Sequence, residues 1–237
     1  MPPTDPLFRA DPYLAETAAT VLAINDRGGV ILDRTVFYAT GGGQPGDAGK
    51  LAAEAGDIAI ATAVYGEDRS EIVHVPAEGA ALSEPGETVT AAIDWARRYN
   101  HMRIHTALHL LSVVLPFPVT GGSIAETAGR LDFDLDGDLP DKAEIEERLN
   151  ALVAADHPVT DEWISDDELL ARPDLVKTMK VKPPMGTGRV RLVRIGDVDL
   201  QPCGGTHVRA TGEIGRLALG KIESKGRQNR RVRIGFA

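Results

Sequence analysis

The chain has 237 residues, with 26 Lys+Arg against 35 Asp+Glu and a formal net charge of −9. At 43% hydrophobic residues it can bury the core of one large domain or two modest ones, which excludes disordered and fibrous classes. The charge is unevenly spread: residues 177–237 hold 14 Lys/Arg and 4 Asp/Glu, net +10, and the remainder 12 against 31, net −19, which fits a polyanion meeting the C-terminal part or a merely solvated basic face.

The start, MPPTDPLFRADPY, has neither a basic opening nor an apolar stretch, so a cytoplasmic location is expected rather than secretion. TAATVLAIN and VILDRTVF, joined by Asp26-Arg27-Gly28-Gly29, read as a β-hairpin. TGGGQPGDAGK follows, and its three glycines make it a loop with backbone open to close approach. DIAIATAV, EIVHVP and ETVTAAID are short, β-branched and separated by turns, so residues 1–93 are expected to form a small β-barrel domain.

The pattern changes at Trp95. WARRYNHMRIHTALHLLSVVL has no Gly or Pro and sets Met102, Ala107, Leu108, Leu111, Val114 and Leu115 at helical spacing, predicting a helix stopped by Pro116. The apolar stretch 108–119 is broken by His109, Ser112, Pro116 and Pro118, far short of the roughly 20 residues that cross a bilayer. FPVTGGSI and GRLDFDLDG read as strands, DKAEIEERLNALVAAD as an amphipathic helix, HPVTDEWIS as a strand and DDELLAR as a turn or two of helix. KTMKVKPPMGTG reads as a basic loop, and the remaining C-terminal sequence as two or three strands with basic and apolar residues alternating. The overall class is α+β: a small barrel, then a two-layer domain over residues 94–237 with a mostly antiparallel sheet.

Two clusters carry chemistry. His101, His105 and His109 stand at i, i+4 and i+8, so either adjacent pair can aim two imidazoles at one point. In Cys203-Gly204-Gly205-Thr206-His207 two glycines let a thiolate and an imidazole converge. Cys203 is the sole cysteine, so no internal disulfide forms. Cys plus His from a helix and a tight loop suits tetrahedral Zn²⁺, one per chain. The helix motif has no Glu after His105, which removes the general base of HExxH proteases. A Cys203–His207 nucleophilic pair is the other reading, and it leaves the helix histidines unused.

R-I-H-T-A-L-H-L-L at 103–111, Q-P-C-G-G-T-H-V at 201–208 and F-Y-A-T-G-G-G-Q-P-G-D at 37–47 resemble, in order and over nearly the whole chain, the signatures of the free-standing alanyl-tRNA editing proteins (AlaX), in their medium-sized form. The same domain edits for alanyl-tRNA synthetase and, more distantly, threonyl-tRNA synthetase. The resemblance implies a deacylase that hydrolyses the ester of serine, or glycine, on alanine tRNA, with zinc on His105, His109, Cys203 and His207. It makes His101 a bystander, puts Gln201 in the pocket and gives Thr120 the contact to a serine hydroxyl. Gly41, Gly42, Gly43 and Gln44 would take part in substrate binding, although Ala39 and Gly41 stand where the family commonly has proline and serine. Lys177, Lys180, Lys182, Arg227, Arg230 and Arg231 are expected phosphate contacts for the tRNA acceptor end. Zinc could lower the pKa of a bound water or anchor the substrate for another water. The alternative function is a non-catalytic, zinc-stabilised RNA-binding module.

Overall fold

Asn25 closes the first hairpin, its side-chain oxygen accepting from the amides of Arg27 and Gly29 at 3.0 and 2.8 Å, while Gly28 adopts φ 80°. The computed structural model describes residues 2–80, 84–137, 139–178, 188–226 and 228–237. They form two compact units, Met1–Tyr99 and Asn100–Ala237.

The first unit contains β1 (Asp5–Pro6), β2 (Glu16–Ile24), β3 (Val30–Leu32), β4 (Arg34–Thr35), β5 (Gly49–Ala53), β6 (Gly56–Tyr65), β7 (Ile72–Pro76) and β8 (Thr88–Ile93). Six of these close into a barrel in the order β2-β3-β7-β6-β5-β8, and β1 pairs in parallel with β4. Alternation drives closure: Ile58 and Ile60 on β6, like Val89, Ala91 and Ile93 on β8, point inward to meet Val21, Leu32 and Leu51. The fully buried Arg98 completes this unit. Its guanidinium grips Asp47 and donates to the carbonyls of Pro12 and Val36, and Asp47 also accepts from the Tyr38 amide at 2.7 Å.

Helix α1 (Trp95–Val114) crosses the division between the units, and every apolar residue predicted to lie on its packed face is buried. The second unit continues with β9 (Val119–Ile124), β10 (Ala128–Asp134), α2 (Lys142–Ala154), β11 (Val159–Ser165), α3 (Asp166–Leu170), β12 (Arg189–Ile195), β13 (Asp199–Pro202), β14 (Leu217–Ser224) and β15 (Asn229–Phe236). One antiparallel sheet runs β14-β15-β10-β9 and another β11-β12-β13. Gly129 lets β10 approach α1, since a Cβ there would lie 2.7 Å from Ile104 and 3.1 Å from Leu108. The outer edge of β14 is not left open: Asn150 of α2 pairs with both backbone groups of Leu217, and Glu146 accepts from the Leu219 amide.

The class is α+β with antiparallel sheets, as the sequence predicts. The C-terminal region departs from the expected two or three strands by forming four, shared between two sheets. Gly196, at φ 45°, supplies the extra reversal between β12 and β13. The basic loop expected between Lys177 and Gly188 falls mostly on residues 179–187, outside the described residues.

Candidate metal centre

Helix α1 brings His105 and His109 onto one face, a turn apart, with ring centroids separated by 5.3 Å. His207 meets both, at 4.3 Å from His105 and 4.7 Å from His109. The loop after β13 delivers Cys203, whose Sγ lies 3.4 Å from His105 Nε2 and 3.3 Å from His207 Nε2. One ligand atom from each of these four residues falls within 4.8 Å of all the others. The edge of a tetrahedron with Zn–N and Zn–S bonds is about 3.5 Å, so the donor set and its spacing fit such an ion. The cluster can bind a metal ion.

The outer ring nitrogens are fixed by hydrogen bonds. His109 Nδ1 lies 3.1 Å from Asp199 Oδ2, and an ionised carboxylate only accepts, so the ring donates there and leaves Nε2 for the cluster. Asp199 also accepts from Gln201 Nε2 at 2.7 Å and from Lys177 Nζ. The Thr106 hydroxyl donates to the Met102 carbonyl at 2.9 Å, so towards His207 Nδ1, 3.1 Å away, it acts as acceptor. His207 is thereby set with Nε2 facing Cys203.

The buried groups of the cluster act strongly on one another's protonation. Burial pushes the Cys203 thiol up, but the charge of His105 and its hydrogen bond to the sulfur override this and hold it well below its usual range. His207 falls to about 3, through burial and then the charge of His105, and is neutral. For His109 burial is outweighed by Asp199 and Cys203, and it rises to about 9. Burial of Asp199 is outweighed in turn by His109 and Lys177, and it falls to about 2. Thiolate and neutral imidazole are the forms that donate to a cation, so a cation bound here would displace the proton that Asp199 and Cys203 favour on His109.

Other predicted residues have other surroundings. His101 is buried on α1 but lies outside the cluster. Gln201 is buried, and its amide nitrogen is engaged by Asp199 and, at 3.3 Å, by Ser112. Thr120, on β9, donates to the Asp132 carbonyl at 3.1 Å and accepts from Asn229 at 2.9 Å. In the barrel unit, Gly41 and Gln44 pair through both backbone groups, Tyr38 donates to the Gly41 carbonyl, and Gly42 and Gly43 take φ 58° and 84°.

Among the basic residues, Lys177 is bound to Asp199 and Arg231 makes a two-point contact with Asp132 at 2.7 and 2.9 Å. Arg230 donates to the Gly137 and Gly226 carbonyls. Lys180, Lys182 and Arg227 lie outside the described residues. Sequence reasoning missed Asp199, Thr106 and Ser112. The strand spacing of Asp199, Gln201 and Cys203, two apart on one face, is a signal that reveals the first.

A barrel followed by an α+β unit holding a His₃Cys cluster is the arrangement of a synthetase-type editing module. Residues 190–233 match the threonyl and alanyl tRNA synthetase second additional domain, and residues 13–97 match the class II (A) tRNA synthetases. The alanyl-tRNA editing protein AlaX-M of Methanosarcina acetivorans is 37% identical over 238 residues, 97% of each chain. AlaX-L of Pyrococcus horikoshii is 34% identical over 95% of this chain and 56% of its own, and the alanine–tRNA ligase of Pyrobaculum aerophilum 37% over 94% and 26%. The chain belongs to the alanyl-tRNA editing proteins of the AlaX family.

Proposed function

We propose that this chain is a trans-editing aminoacyl-tRNA deacylase serving translation fidelity, acting in the cytoplasm on serine, or glycine, esterified to the acceptor end of alanine tRNA. The observation that carries the reading is the convergence of His105, His109, Cys203 and His207 in a chain that aligns over 97% of its length with an editing protein. These four side chains would hold one Zn²⁺, which supplies Lewis-acid stabilisation of the ester oxygen or of a bound water. Among the described residues no helix is long and apolar enough to cross a membrane.

The protein's own residues shape the rest. Asp199, braced by Lys177 and Gln201, orients His109, while Thr106 orients His207. An aminoacyl ester is already activated, so orientation of the acyl group and exclusion of competing geometries provide much of the rate. Thr120 has spent its proton on Asp132 and one lone pair on Asn229. Its remaining lone pair can accept from a serine hydroxyl, a bond that alanine cannot make. We assign the barrel, residues 1–93, and the loop Gly41, Gly42, Gly43 and Gln44 to substrate placement, the editing chemistry to residues 94–237, and the basic residues Lys180, Lys182, Arg227 and Arg230 to the acceptor arm. Release of serine from mischarged alanine tRNA, with correctly charged tRNA as control, tests the reading. Binding of RNA without release would favour the non-catalytic zinc module instead.

A further inference from the structure

Antiparallel register places Trp163 of β11 opposite Arg191 of β12, and the Cys203 amide donates to the Arg191 carbonyl at 3.1 Å. Directly opposed residues share a sheet face, alternation along β13 puts Asp199 and Gln201 on that same face, and the amide hydrogen bond to Arg191 carries the row on to Cys203, the residue after β13. Trp163, Arg191 and Cys203 therefore stand in a row that runs from β11 across β12 to the residue following β13. With strands about 4.8 Å apart, the Trp163 backbone lies about 10 Å from that of the cluster cysteine. Arg191 floors the interval, its guanidinium donating to the Cys203 and Gly205 carbonyls at 3.2 and 2.9 Å.

At the outer end the indole is 42% exposed on an edge strand, which is unusual for a side chain of this size. Arg189, two residues from Arg191 and on the same face, sets its guanidinium 5.6 Å from the ring centroid. Asp161 flanks the indole on the other side and is matched by Arg191 Nε at 3.6 Å. One aromatic ring among charged neighbours offers too little apolar area for a protein partner. A planar ring with a guanidinium beside it suits a nucleobase and its phosphate.

We propose that Trp163 is a stacking platform for an unpaired base at the 3′ end of the tRNA, holding the strand while its ester lies at the cluster. This rests on the deacylase reading and adds a recognition residue to it. The chain has two tryptophans, so a Trp95→Phe background leaves Trp163 as the only indole emitter. A short single-stranded RNA ending in CCA should quench that emission, and less so at high salt. Trp163→Ala should raise KM for mischarged tRNA about 10-fold, with kcat and bound zinc held, and Trp163→Phe should restore most of the loss.

Absence of quenching, a KM unchanged by Trp163→Ala, or a change in oligomeric state in place of the KM effect would overturn the platform. Failure of the wild-type protein to release serine would overturn the deacylase reading, while quenching by the oligonucleotide would still decide whether Trp163 stacks on RNA.

Discussion

His109 donates to Asp199 across 3.1 Å, and that single contact fixes which ring nitrogen faces the cluster. The carboxylate in turn accepts from Lys177 and Gln201, so one buried anion is held from three directions. Carboxylate–imidazole pairs of this kind set both the tautomer and the basicity of a metal ligand. Asp199→Asn keeps the shape but removes the charge and puts an NH2 group against one of the donors His109, Gln201 or Lys177, all of which need an acceptor there. Zinc affinity should fall about 10- to 100-fold in competition with a chelator, with the fold retained by circular dichroism. An unchanged affinity would show that Asp199 only supports packing.

Loss of a ligand is a harsher change than loss of its orienter. Cys203→Ala removes the one thiolate, and His105→Ala removes one of the two α1 imidazoles in the cluster. Each should abolish bound zinc and serine release together. Stripping the wild-type protein with a chelator should do the same, and restoring zinc should recover release. Full activity in metal-free protein would be incompatible with the assigned role of the cluster.

The parts of the site readable in the sequence are those set by local geometry. A helix repeats every 3.6 residues, so His105 and His109 declare their shared face without any knowledge of the fold, and paired glycines do the same for the Cys203–His207 loop. Thr106 and His207 are separated by 101 positions and His109 and Asp199 by 90, and no periodicity reports a contact made by the fold. The same limit applies to the sheets. Each C-terminal strand is recognisable from its alternation, yet β12 and β13 pair with β11 whereas β14 and β15 join β10, a choice made by long-range packing. Charge was informative only in bulk. The +10 region holds residues such as Lys177 and Arg231 whose cationic heads are paired with Asp199 and Asp132 inside the unit.

Selectivity should separate from metal binding at Thr120. Thr120→Val preserves shape but loses the donor to Asp132 and the acceptor facing Asn229. Each lost hydrogen bond costs about 1 kcal/mol, so a modest fall in stability is expected. Serine release should drop about 10-fold or more while zinc content stays at one per chain, because none of the four cluster residues is touched. Equal loss of release and zinc would remove Thr120 from the substrate pocket.

Acid stability should report on His74 in the barrel. Its Nδ1 lies 3.0 Å from the Val30 carbonyl and must donate, so Nε2, 2.7 Å from Thr35 Oγ1, accepts the hydroxyl proton. The ring is fully buried and neutral, and burial lowers its pKa from 6.5 to about 4. The unfolded chain therefore takes up the proton first, and stability is lost as pH falls from 6.5 towards 4. Between pH 7 and 4.5 the loss from this residue is about 2.5 kcal/mol. Urea unfolding of wild type and His74→Gln should show the variant less stable at pH 7, with the gap narrowing by about that amount at pH 4.5. A gap that stays constant across this range would mean that His74 does not couple protonation to unfolding of the barrel.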